Sequence, residues 1–161
     1  MKNSVTSFLS KSSQSQLVGH VLLESGQKLE ADFVVLGVGV FPETSYLVSS
    51  GIKLDKDWGI SVESTLAIPN TSGIFAVGDI ARYPYHLSGD MVRIEHWNVA
   101  QDQGRLVGEN IVLHLNSKEL RPFQSIPYFW TSQYGKSLRF TGYSESYDDM
   151  IIHVIFLMDF I

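Results

Sequence analysis

The chain has 161 residues, 44% of them apolar, and a formal net charge of −5 from 12 lysines and arginines against 17 aspartates and glutamates. That acidic balance, with no lysine–arginine cluster, argues against nucleic acid as a main partner, because phosphate binding needs a basic face. The absence of cysteine excludes a disulfide, a thiolate metal site and a dithiol redox pair within this chain.

The first 16 residues, "MKNSVTSFLSKSSQSQ", are rich in serine and glutamine and lack the apolar core of a secretory signal, so they read as a frayed end. Residues 17–23 alternate and are β-branched, and Ser25-Gly26 supplies a turn, which predicts a hairpin. Residues 31–40 are nearly continuous in apolar side chains and predict a strand covered on both faces. The "GVGVFP" at its end, Gly37 to Pro42, invites comparison with the dinucleotide fingerprint. Pro42 occupies the third glycine position and removes the close helix–strand packing served there, leaving bare backbone at a strand end or a plain structural turn.

Short segments follow, punctuated by Gly51, Gly59, Pro69 and Gly73. Ile74-Phe75-Ala76-Val77, bounded by Gly73 and Gly78, predict a short buried strand that ends on a carboxylate, Asp79. A charge there must find partners or remain in water. A ligand hydroxyl is one partner, and a helix N-terminus capped by Asp79 is another.

The helix of the chain is predicted over residues 94–115, where Trp97, Ala100, Gly104, Val107, Ile111 and Leu115 recur at three- and four-residue spacings. Ala100, Gly104 and Gly108 form a small-residue ridge that suggests close approach to another backbone, since glycine costs about 1 kcal/mol relative to alanine inside a helix. The helix start, "RIEHWNVAQ", crowds an acid, a histidine and a tryptophan where free backbone N–H groups point outward. The five histidines, His20, His86, His96, His114 and His153, show no metal-ligand spacing. The final "MIIHVIFLMDFI" is too short an apolar run to span a bilayer and reads as one or two core strands in a chain that stops inside them.

Four stretches in one order, "DFVVLGVGVFPET", "GIFAVGDIA", "EHWNVAQDQG" and "PYFWTSQYG", resemble the carboxyl-terminal half of FAD-dependent pyridine-nucleotide oxidoreductases. Within these the chain is most similar to the ferredoxin-reductase-like branch that includes apoptosis-inducing-factor-like proteins, over about residues 17–150. The resemblance implies an α/β fold of partial doubly wound, Rossmann-like FAD- and NAD(P)-binding domains plus the start of an α+β carboxyl-terminal interface domain. It divides the chain into 17–68 (end of the NAD(P) domain), 69–120 (returning FAD segment) and 121–161 (start of the interface domain).

It also implies roles. Gly78 and Asp79 fall where the family places a carboxylate on the flavin's ribitol hydroxyls. Glu95, His96 and Trp97 fall where helix N–H groups face the flavin pyrimidine oxygen and support charge on the reduced ring. Trp130 falls beside the isoalloxazine, and Gly39 near the pyridine nucleotide. No residue is implied as a necessary acid or base. Phe129-Trp130-Thr131-Ser132-Gln133 departs from the family's Phe-Trp-Ser-x-Gln by carrying threonine in the serine's place. The glycine-rich loops of the FAD and NAD domains are absent from the sequence, so a fragment is expected.

The expected function is hydride transfer from NAD(P)H to FAD, with electrons passed to a protein or quinone-like acceptor, in cytoplasm or mitochondrion, as a possible homodimer at full length. The alternative is a non-catalytic fragment, an apoptosis-related interaction or regulatory domain without a complete cofactor site. In that alternative Trp97 and Trp130 are ordinary core aromatics and Glu95 a solvated charge.

Overall fold

The computed structural model describes residues 3–144 and 146–153, and the chain divides into two units, Met1–Val40 and Phe41–Ile161. The divisions expected from the motifs, at 68/69 and 120/121, fall inside the second unit.

The first unit is a three-stranded antiparallel sheet of β1 (Val5–Ser10), β2 (Val18–Leu23) and β3 (Lys28–Glu30), in the order β1-β2-β3. The β2–β3 hairpin turns on Gly26, whose φ of 81° suits a residue without Cβ. Strand β1 corrects the frayed reading of the first 16 residues. Val5 pairs with Leu23 and Phe8 with Val21, and the Thr6 hydroxyl donates to the Leu22 carbonyl at 3.1 Å. The serines hid a strand whose stability comes from pairing with β2.

Residues 31–40 correct the expectation of a buried strand. They belong to no sheet, and Val35 and Val38 are 84% and 86% exposed. A strand covered on both faces needs ladder partners on its edges, and no described strand pairs with this one.

The second unit holds β4 (Ile60–Ser61), β5 (Ala81–Pro84) and β6 (Met91–Val92) in one sheet, β4–β5 parallel and β5–β6 antiparallel. Its helix α1 spans Trp97–Leu115, and β7 (Tyr128–Gln133) and β8 (Lys136–Thr141) form a hairpin. The hairpin turns on Tyr134 and Gly135, both at positive φ (52° and 74°), the pattern of a type I′ turn that matches strand twist.

Ile74 to Val77 make no strand. They contribute one isolated bridge, Ala67 to Phe75, because Gly73 (φ 72°) and Gly78 (φ 76°) turn the backbone at both ends of the four residues. Ile74 is exposed while Ala76 joins the core around Ile60, Leu66, Tyr83 and Val99. Of the apolar carboxyl-terminal run, residues 150–153 form no strand, and the rest lies outside the described residues.

Helix α1 begins three residues later than expected, and its buried stripe is rotated from the expected one, sharing only Val107 with it. Val99, Gln103, Val107 and Asn110 are inside, whereas Trp97 is 64% exposed and Ile111 and Leu115 also face water. The two polar residues are buried because each is hydrogen-bonded to backbone. Gln103 Oε1 accepts the Gly78 N–H at 2.7 Å. Asn110 Nδ2 donates to the carbonyls of Thr65 (3.1 Å) and Arg121 (2.9 Å), and Asn110 Oδ1 accepts the Arg121 N–H at 2.8 Å. Only the Ala100 end of the small-residue ridge approaches another backbone. A Cβ added to Gly78 would lie 3.5 Å from Ala100 Cβ, and one added to Gly104 or Gly108 would meet open space. Among the described residues no helix is long and apolar enough to cross a membrane, and no cluster of side chains could hold a metal ion.

Candidate functional site

Asp79 sits in a 3-10 turn, Gly78–Ile80, entered from extended Val77. The left-handed φ of Gly78 admits the turn, and Gln103 fixes it by accepting the Gly78 N–H. The Asp79 carbonyl accepts a hydrogen bond from Arg93 Nη1 at 2.9 Å. Its carboxylate is exposed and, among the described residues, has no partner. Asp79 caps no helix, since the residue at the N-cap of α1 is His96 and that of the turn is Val77.

His96 is extended (φ −122°, ψ 131°) and offers no side-chain cap; Asn98 Oδ1 accepts the Val99 N–H at 2.9 Å, which leaves the Trp97 and Asn98 N–H groups at the open start of α1. Asn98 ties this helix start to the hairpin, its Nδ2 donating to the Tyr128 carbonyl at 2.8 Å. The His96 ring stacks on Phe129 (centroids 5.4 Å apart), and its Nδ1 is buried with no partner among the described residues. Trp97 meets Trp130 edge-on at 6.1 Å, and Tyr128 stacks on Trp130 at 5.7 Å. Trp130 is 47% exposed, so neither tryptophan is an ordinary core residue.

These groups enclose a cavity of about 320 Å³ walled by Glu95, His96, Trp97, Asn98 and Tyr128 to Trp130. A second cavity, of about 440 Å³, shares Glu95, His96 and Phe129 and extends to Phe140 and Tyr143. The residues predicted at Gly78, Asp79, Glu95, His96, Trp97 and Trp130 all belong to the second unit. Gly39 belongs to the first, on the exposed segment 31–40, with φ of 86° and open space where a Cβ would be.

The sequence reading missed Arg93. Its Nη1 also donates to Glu95, and its Nε donates to Asp57 at 3.0 Å. Asp57 further accepts from Arg82, which reaches Asp55 at 3.2 Å. Glu95 is therefore not a merely solvated charge. Burial pushes the Asp57 carboxyl up, but the Arg93 hydrogen bond, the Gly59 N–H and the charges of Arg82 and Arg93 outweigh it and hold the group below the usual carboxylate range. Burial likewise disfavours the Arg93 cation, and Glu95 and Asp57 more than offset this. These partners are scattered over four segments with no fixed spacing, so no pattern in the sequence announces them.

Residues 1–104 match the family model described as pyridine nucleotide-disulphide oxidoreductase. The chain belongs to that family. It is 39% identical over 133 residues to apoptosis-inducing factor 3 of Mus musculus, covering 82% of this chain and 21% of that protein. It is 35% identical over 141 residues to putidaredoxin reductase CamA of Pseudomonas putida, covering 88% of this chain and 32% of the relative. A crystal structure of the ferredoxin reductase for the CYP199A2 system from Rhodopseudomonas palustris superposes with a TM-score of 0.77 at 28% identity, covering 95% of this chain and 35% of that one. The covalent putidaredoxin reductase–putidaredoxin complex gives 0.73 at 34% identity, covering 91% and 33%.

The ferredoxin-reductase-like resemblance and the α/β, partly Rossmann-like fold are borne out. The chain spans about a fifth to a third of the length of these relatives.

Proposed function

We propose that this chain supplies the flavin-facing and part of the nicotinamide-facing surface of an oxidoreductase that moves hydride from NAD(P)H to FAD and electrons onward to a carrier protein. The observation that carries this is the pairing of an unpartnered carboxylate, Asp79, with an uncapped helix start that opens on an aromatic cavity. Both features fit the group. A carboxylate with free lone pairs accepts hydrogen bonds from polyol hydroxyls. A helix N-terminus supports negative charge at an aromatic ring edge.

Bound flavin supplies the two-electron chemistry and its onward one-electron steps. The chain's own residues bind and orient. Asp79 accepts from the ribitol, held by Gly78 in its turn. The Trp97 and Asn98 N–H groups and the α1 dipole stabilise charge at the pyrimidine end, with Glu95 and His96 lining that end. The buried Nδ1 of His96, unpartnered among the described residues, faces this need for a polar partner. Trp130 would lie beside the isoalloxazine ring, and the family resemblance alone assigns Gly39, in the other unit, to the pyridine nucleotide. In this reading residues 17–68 belong to the NAD(P) domain, 69–120 to the FAD domain and 121–161 to the interface domain. A neighbour solved in covalent complex with putidaredoxin supports a protein as the electron acceptor.

FAD titration of a full-length protein that carries this segment, followed by flavin fluorescence, tests the reading. Asp79→Ala removes the acceptor of buried hydroxyl donors, and the affinity is expected to fall by about 5- to 150-fold, the equivalent of about 1–3 kcal/mol. Undiminished affinity in that variant sinks the assignment.

A further inference from the structure

We propose that Arg93 is the positioning residue of this site, one guanidinium locking the Gly78–Asp79 turn and the extended segment at Glu95 and His96 that leads into α1 into a single rigid frame. The inference rests on the flavin reading above and adds a residue to it.

The two segments are separated in the chain, and among the described residues no backbone hydrogen bond joins them. Arg93 Nη1 joins them, donating to the Asp79 carbonyl at 2.9 Å and to Glu95. Its Nε is anchored behind them on Asp57 at 3.0 Å, and Asp57 is fixed in turn by Arg82 and by the Gly59 N–H at 3.3 Å. The Arg93 side chain is only 16% exposed, so water does not replace these partners freely.

From the other side Gln103 holds the Gly78 N–H. The backbone of the turn is therefore gripped at both ends while the Asp79 carboxylate stays free. That arrangement suits a group whose task lies with a ligand rather than with the protein.

The geometry also selects arginine. Three acceptors, Asp57, Asp79 and Glu95, surround a planar fork with fixed N–H directions. A lysine ammonium is a single point charge on a flexible stem and cannot serve all three in these directions. The cation further compensates Glu95 and Asp57, whose charges would otherwise oppose negative charge developing at the start of α1.

The test compares Arg93→Lys, Arg93→Met and Asp79→Ala by FAD titration, by the emission spectrum of bound flavin, and by hydrogen exchange of the 78–80 amides in ligand-free protein. Both Arg93 variants are expected to weaken FAD binding by about tenfold or more, since each loses hydrogen bonds to charged partners. They are also expected to shift flavin emission and to speed exchange at 78–80. Arg93→Lys keeps the charge and thus decides the matter if Arg93→Met fails to fold. Wild-type affinity and emission in Arg93→Lys, with binding lost in Asp79→Ala, overturns the Arg93 role and leaves the flavin reading standing. Wild-type affinity in Asp79→Ala as well overturns the reading and the inference with it.

Discussion

Four buried polar atoms lack a partner among the described residues: Thr65 Oγ1, Tyr83 Oη, His96 Nδ1 and Gln103 Nε2. His96 borders the cavity, where a ligand can satisfy it, but Tyr83 lies in the core, 1% exposed and edge-on to Phe123 at 5.2 Å. Burial, reinforced by Tyr85 and Tyr143, pushes the Tyr83 phenol above its ordinary value of 10. Because the folded state holds this proton more tightly than the unfolded chain, the stabilisation is complete below pH 10 and is lost as pH rises above it. Tyr83→Phe removes the orphaned hydroxyl and its titration together. The variant is expected to be more stable at pH 7 by about 1 kcal/mol and to lose less stability between pH 9 and 11 than the wild type. Urea midpoints across that range check both expectations, and parallel declines would refute the assignment. Asp57 works with the opposite sign: its lowered value contributes stability above the usual carboxylate range that is lost as pH falls through the depressed value.

At the scale of elements, α1 shows what periodicity reveals and what it conceals. The spacing of its apolar residues marks a helix in the right place, but the buried stripe runs through Gln103 and Asn110, which a count of apolar residues assigns to solvent. Their burial depends on backbone groups of Thr65, Gly78 and Arg121, none of them on the helix, so no window of local sequence contains the reason. Asn110 is the stronger example, with three hydrogen bonds that staple the middle of α1 to two loops. Asn110→Ala leaves those backbone groups buried and unpaired and is expected to cost about 2–4 kcal/mol, read as a fall in the urea midpoint with the helix still formed by circular dichroism. The same distinction separates the strands. The β2–β3 hairpin is legible because alternation and turn are both local. Residues 31–40 and 74–77 are apolar enough for strands, but strand formation also needs partners that the sequence of the segment does not specify.

For the whole molecule, the order of four motifs was enough to give family and fold, because four stretches in one order are specific where each alone is not. Arg93 was not legible, since its role exists only once Asp57, Asp79 and Glu95 converge on it. The unpaired segment 31–40 has a consequence for the chain as a body in solution. Phe33, Val35, Leu36, Val38 and Val40 all stand exposed on one stretch that joins no sheet ladder. Contiguous apolar surface of this kind drives association. The isolated chain is therefore expected to self-associate, seen as a sedimentation coefficient that rises with concentration. Replacing Val35 and Val38 by lysine removes two side chains whose burial is worth about 1.5–3 kcal/mol each, so association should weaken at least about a hundredfold. Both side chains stand exposed, so the circular dichroism of the double variant should match the wild type. A wild-type chain that stays monomeric at every concentration would show that the exposed stretch is not sticky and that its backbone is satisfied by water alone.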